Sequence, residues 1–307
     1  MERDSMRRAK PLLGTFVEIW ASGASPIELE AAVEAAFGAV AKVHRLMSFH
    51  ESGSDVSRLN RGALTAGIKV DPWTFQVLET ALELHRHSGG IFDIAIAAAL
   101  QRLGVLPVAP NFPGRDGAGV TAARRGSATR IELLPDYHVR FHSPDTLIDL
   151  GGIAKGFAVD CAIGVLKEQS IPAGLVNAGG DLAAYGPGSY PIHVRDPSRP
   201  DRAICAIEVR NEALATSGAR FDPVCDSSSP CPEIIDPKTQ APAFAIAGVT
   251  VRAPSCMIAD ASTKVVMIAG EAAAPLLDRY NAKALMISRE GDVCFTSGLG
   301  DGIGCAA

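Results

Sequence analysis

The chain has 307 residues, enough for one large domain or two ordinary ones, and 47% are hydrophobic against 21% charged. A net charge of -5 and an aromatic content of 6% argue against a nucleic-acid binder, which needs a basic face and stacking rings. No run approaches the roughly 18 apolar residues of a membrane span, and the start shows no apolar secretory stretch. The seven cysteines lack a C-x-x-C pattern and read as scattered thiols rather than a disulfide framework. A cytoplasmic protein with no membrane span is expected.

In chain order, Gly14 to Ala21 is rich in β-branched and aromatic residues and reads as a strand. Ser25 as N-cap, Pro26 at the first helical position and Glu28 as the far half of a capping box then open a helix. Its stripe is Leu29, Val33, Phe37, Val40 and Met47. A second helix opens at Asp71-Pro72, carries Val77, Leu78, Ala81 and Leu82 on one face, and stops at Gly89. Residues 106–129 are rich in Pro, Gly and Ala without a period and read as a surface insertion or loop. A hairpin turning at Pro135-Asp136 follows. The stretch LIDLGGIAKGFAVD, Leu147 to Asp160, reads as strand, loop and helix, with Ala158, Ala162, Val165 and Leu166 on the helix stripe. Strands are expected before a turn at Gly179-Gly180 and again at 190–196, 202–210 and 248–253. A helix from Asp260 to Gly270, a helical segment after it, and a hairpin turning at Glu290-Gly291 complete the pattern. Hairpins mixed with helices indicate an α+β class.

Several short stretches bear on chemistry. In Asp149-Leu150-Gly151-Gly152-Ile153-Ala154-Lys155-Gly156, the glycines let an anion reach the backbone, the helix start offers N–H groups, and the lysine adds a charge. The order differs from a P-loop, and the motif alone reads equally well as a tight turn. Asn177-Ala178-Gly179-Gly180-Asp181 is a second glycine turn backed by a carboxylate. Asp260, Thr263 and Lys264 share a helical face. A carboxylate and a hydroxyl so placed suit a hard cation, while the plain alternative is a helix capped by Asp260.

Taken as an ordered set, these stretches resemble one family. LLGTFVEI, MSFHESGSDVSRLN, GGIFD, IDLGGIAKGFAVD, NAGGD, ATSG, IIDPKT and VTVRAPSCMIADAST occur in the order found in the ApbE family of FAD:protein FMN transferases. The resemblance covers nearly the whole chain. It implies a single domain over residues 1–307, made of two intertwined α/β lobes with mixed or antiparallel sheets flanked by helices. It also implies an FAD site between the lobes. It further implies that FMN is moved from FAD to a Thr or Ser hydroxyl of a target flavoprotein, assisted by Mg2+, with release of AMP. Some members hydrolyse FAD to FMN and AMP instead, and a flavin-binding relative with weakened transfer remains open.

Carried onto this sequence, the resemblance puts the flavin against Leu13 and Gly14, Ser48, His50, Phe92 and Asp93. It lines the nucleotide with Asp149, Lys155, Asp181, Thr216, Ser217 and Ile234, and the glycine turns at Gly152 and Gly180 offer backbone N–H groups. The metal would be held by the Ala154 carbonyl, Asp260 and Thr263. Two departures stand out. Glu233 occupies the place of a histidine that takes part in proton transfer, and Lys264 occupies the place of a metal-binding threonine. Glu233 and Asp260 are the expected catalytic residues, and Lys264 is expected to weaken the Mg2+ site.

Overall fold

The computed structural model describes residues 4–64, 66–107, 126–199, 201–218, 234–243, 245–296 and, for the backbone, 303–305. The first elements are β1 (Ser5–Leu12), β2 (Thr15–Ser22), α1 (Pro26–Met47), α2 (Asp55–Gly62), β3 (Ile68–Lys69), α3 (Pro72–His87) and α4 (Ala97–Arg102). After them come β4 (Ile131–Leu134), β5 (His138–Phe141), α5 (Ala154–Glu168), β6 (Ala173–Ala178), β7 (Asp181–Tyr185), β8 (Tyr190–Arg195) and β9 (Ala203–Val209). The remainder is β10 (Glu212–Gly218), β11 (Ile246–Ala253), α6 (Cys256–Ala269), α7 (Ala274–Arg279), β12 (Lys283–Ser288), β13 (Val293–Phe295) and β14 (Ile303–Cys305).

Eight strands form one sheet in the order β1-β2-β6-β7-β10-β11-β12-β13, and every ladder in it is antiparallel. Helices α1, α5 and α6 lie on one face. The small sheet β14-β9-β8 covers part of the other. Period-two alternation assigns each side chain to a layer. Ala183, Ala213, Ala215, Ala284 and Met286 join the helical core, while Leu182, Ala184, Leu214, Leu285 and Ile287 join the core under the small sheet. Because β7 is covered on both sides, all five of its residues are buried. Such a strand can carry an aspartate only where a cation meets it. A third sheet, β3-β5-β4, extends the helical core beside α3.

The helix starts follow their sequence signals. Ser25 and Glu28 close the capping box of α1. The Asp71 carboxylate caps α3, and Gly89 ends it at φ +60. The Leu13-Gly14 turn between β1 and β2 has positive φ at both residues, the primed geometry that suits a two-residue hairpin. Gly179-Gly180 does the same between β6 and β7.

Two expectations are corrected. Residues 147–150 are not a strand of any sheet. Leu147, Ile148 and Leu150 are buried, and the Asn60 side chain satisfies both backbone groups of Ile148, at 2.8 and 2.9 Å. Helix α6 begins at Cys256, four residues before Asp260. Ser255 caps it, and Asp160 accepts from the Cys256 and Met257 N–H groups at 2.8 and 2.9 Å, so Asp260 is no cap. The stretch 106–129 is tied down at its described ends. Leu106 packs beside Leu100, and Ala128 is buried with its N–H on Asp93. Residues 108–125 lie outside the described part, as do Cys225 and Cys231. Cys161, Cys256 and Cys294 are free thiols.

Candidate active site

A cavity of about 1040 Å³ opens where the helical layer, the large sheet and the small sheet meet. Its floor is glycine: Gly151 and Gly152 before α5, and Gly179 of the β6–β7 turn. Helix α5 has no side-chain bond from its N-cap residue, Ile153; of its first N–H groups, that of Ala154 goes to the Leu150 carbonyl at 2.8 Å and that of Gly156 to the Asp260 carboxylate at 3.0 Å. Thr216, Ser217 and Thr250 supply hydroxyls from β10 and β11, and Thr216 pairs with Thr250 at 3.0 Å across the ladder. The far wall is apolar, with Ile91, Phe92, Ile96, Leu100, Val105 and Leu106 facing Ile234 and Ile235.

Four charged side chains close the end near α5. The Lys155 ammonium bonds the Asp181 carboxylate and stands 3.7 Å from Asp260 Oδ1. Lys264 bonds the same Asp260 oxygen and also the Asp260 carbonyl, at 3.0 Å. The second carboxylate oxygen of Asp260 accepts from Gly156 N–H at 3.0 Å. The Asp260 side chain is wholly buried and that of Asp181 nearly so, whereas both lysines reach the cavity. Burial works to raise Asp260, but Lys155 and Lys264 outweigh it and hold the carboxyl below its ordinary range. Burial, reinforced by Asp260, pushes Asp181 up. For Lys155, burial opposes the charge, yet Asp260 and Asp181 hold its pKa above the ordinary lysine range.

Two further acids line the cavity. Burial pushes Asp149 up, although it accepts the Gly151 N–H at 3.0 Å. Burial also raises Asp93, which accepts from Ala95 N–H at 2.7 Å and lies 3.4 Å from His85 Nδ1.

Of the expected site residues, Phe92, Asp93, Asp149, Gly152, Lys155, Thr216, Ser217 and Ile234 line this one cavity. Asp181, Asp260 and Thr263 stand one layer behind, each bonded to a lining residue. Leu13 and Gly14 do not line it, although their neighbour Thr15 packs on Gly179, which does. Gly180 donates to Asn177 Oδ1 at 3.0 Å rather than into the cavity. Ser48 is the C-cap of α1 and accepts the His50 backbone N–H at 3.2 Å, and neither residue lines the cavity. Glu233 lies outside the described residues.

The expected Mg2+ ligands do not form a set. The Thr263 hydroxyl is fully buried, donates to the Asp260 carbonyl at 2.7 Å and pairs with Ser217 Oγ at 2.7 Å. Both Asp260 carboxylate oxygens are taken, and Ala154 sits at the first position of α5. Among the described residues, no three His, Cys, Asp or Glu side chains converge as metal ligands. An octahedral Mg2+ shell needs oxygen lone pairs, and a protonated lysine offers none. As they are placed, these residues therefore do not fit Mg2+. Asp260, expected among the catalytic residues, anchors the two lysines with its carboxylate and does not line the cavity.

Sequence reasoning missed Arg195 at the end of β8, Asp196, Pro197 and Ser198 of the β8–β9 connection, and the apolar wall from Ile96 to Leu106. Neither has a local signal, since a chain crossing gathers them.

The profile of the ApbE family matches residues 13–286. The chain belongs to the ApbE family. Among relatives, an FAD:protein FMN transferase of Rhodobacter capsulatus is 29% identical over 85% of this chain, which spans 50% of that protein's length. One of Treponema pallidum is 27% identical over 96% of this chain and 87% of its own. In three dimensions, an ApbE protein of Thermotoga maritima superposes with TM-score 0.84 at 25% identity, covering 96% of this chain and 97% of its own. The flavin transferase ApbE of Vibrio cholerae gives 0.82 at 23%, covering 98% and 99%. This ApbE chain thus has the family's α+β fold. No helix among its described residues is long and apolar enough to cross a membrane.

Proposed function

We propose that this chain moves FMN from FAD to a Thr or Ser hydroxyl of a target flavoprotein and releases AMP. The observation that carries the reading is the polarity of the cavity. Two lysines over a glycine floor offer cationic partners and close backbone approach to a pyrophosphate. An apolar wall opposite offers a surface for a flat ring system. The relatives' name as FAD:protein FMN transferases supports the same substrate.

In this reaction the acceptor oxygen attacks the phosphorus of the FMN half, and the P–O bond to the AMP half breaks. The hydroxyl proton passes to a base, and AMP leaves with the bridging oxygen and the negative charge. Lys155 and Lys264 stabilise the charge that collects on the phosphates. Asp181 and Asp260 hold those ammoniums in place, and the apolar wall keeps water from the flavin side.

The test is incubation with FAD and a flavoprotein acceptor, read by mass. A gain equal to FMN with matching AMP release is expected. Lys155→Met should lower that rate by at least about a hundredfold, the size of effect seen when one preorganised charge-stabilising group is removed. AMP without an acceptor mass gain would reassign the chain as a pyrophosphatase, and neither product would reduce it to a flavin binder.

A further inference from the structure

We propose that Lys264 replaces the divalent ion at this site, so that two lysines hold the FAD pyrophosphate and no metal is required. This rests on the FAD reading above. Lys264 lies one helical turn after Asp260, and its ammonium bonds both the side chain and the carbonyl of that residue. It thus occupies the place where an ion bound to Asp260 would stand, while its own charge repels such an ion. The hydroxyl next to it in sequence offers no escape, because Thr263 turns away toward Ser217.

The lysine is also aimed. Its side chain is 18% exposed and lines the cavity. It passes over Gly152, where an added Cβ would lie 3.6 Å from its Cε. Lys155, 3.7 Å from the same Asp260 oxygen, completes a pair of ammoniums around one buried carboxylate. Lys155, Lys264, Asp181 and Asp260 sum to zero charge. The pair therefore costs the empty fold no net buried charge, and it presents two cations toward a dianion. An ammonium has three donors and suits phosphate oxygens as a point charge without a strict coordination geometry.

The measurement is FAD affinity by calorimetry in Mg2+ and in EDTA, with Mn2+ paramagnetic resonance on the protein with and without FAD. In the native chain, affinity should change less than about twofold between buffers, and Mn2+ should stay free. Lys264→Thr should bind FAD at least about tenfold more weakly in EDTA and recover with Mg2+. Lys264→Gln, which offers an amide oxygen in place of the ammonium, should show the same loss in EDTA, and circular dichroism checks that both variants fold. A tenfold loss of native affinity in EDTA overturns the lysine proposal and leaves the FAD reading standing. So does unchanged affinity of Lys264→Thr in EDTA. Absence of FAD binding in every buffer overturns the FAD reading, and the lysine proposal with it.

Discussion

At one end of the cavity, Lys155, Asp181, Asp260 and Lys264 sit on α5, β7 and α6, elements that pack against one another and against the large sheet. At the other end, Ile96, Leu100, Val105 and Leu106 sit on or beside α4, six residues long and without a side-chain cap. Leu100 belongs with Ala99 and Ile235 to a small apolar cluster apart from the main core. Its polar ties are neutral or solitary: the Gln101 amide donates to the Pro107 carbonyl at 2.9 Å, the Ala97 N–H to the Leu147 carbonyl at 3.2 Å, and the Arg102 guanidinium to Gln240, a residue held at φ +58. The contrast follows from the forces involved. A buried charge is tolerable only with its partner at a fixed distance, so it needs rigid supports. Apolar contact is non-directional and survives small shifts of the segment that makes it.

The largest effect should come from the closest approach at the charged end. A Cβ on Gly156 would lie 2.2 Å from the Cys256 carbonyl oxygen and 2.8 Å from Asp260 Cβ. Neither helix can yield, because both pack on the sheet. Gly156→Val should cost on the order of 3 kcal/mol or more in denaturant unfolding and weaken FAD binding together with stability. Gly152→Val is the control, since ordinary contact with Lys264 awaits its Cβ and its φ is not positive. It should keep the stability and lose FAD affinity, because the new side chain stands on the cavity floor. If Gly156→Val folds with native stability, the charged end is not the rigid one.

Leu100→Ala sharpens the contrast from the other side. Leu100 is 4% exposed, so the truncation should cost about 2 kcal/mol, the low end for a buried leucine in a satellite cluster. The loss should be local. Amide exchange around α4 should speed up while α5 and α6 keep their protection. Equal acceleration in all three helices would show that the apolar end is as tightly coupled to the core as the charged end.

Legibility in the sequence divides along the same line. Helix starts were readable at Ser25 and Asp71, where a proline follows the cap, but not at Ser255, where none does. The glycine turns were readable because positive φ limits the residue choice at Gly179 and Gly180. The lysine of the glycine motif and the aspartate behind the second turn were both flagged, and they meet. What failed was decided by distant chain. The extended segment at Ile148 looks like a strand, but an asparagine 88 residues away takes its hydrogen bonds. The true start of α6 depends on Asp160, 96 residues before Cys256. The fate of Thr263 depends on Ser217 in another strand. Spacing within a helix cannot report such partners.

Asp160 offers the smallest test, and it asks whether the charged end bears a standing cost for its supports. It holds the first turn of α6, which carries Asp260 and Lys264. Burial pushes its pKa up to about 6 from 3.8, although the two N–H groups pull the other way. A folded-state pKa above the unfolded one means that the folded protein binds the proton more tightly. The contribution of this group to stability is therefore full below about pH 4 and is lost as pH rises toward 6. Asp160→Asn cannot titrate, so that part of the slope should vanish. At neutral pH the neutral side chain is relieved of the buried charge. Its amide nitrogen, however, turns one of the two helix N–H bonds into a donor–donor contact, which offsets much of the gain. The net change should be a stabilisation of about 1 kcal/mol at pH 7 and none, or a small loss, at pH 4. The check is the melting temperature of both proteins from pH 4 to 7. Parallel curves would mean that Asp160 is not the titrating group and that the charged end carries its supports without a pH-dependent penalty.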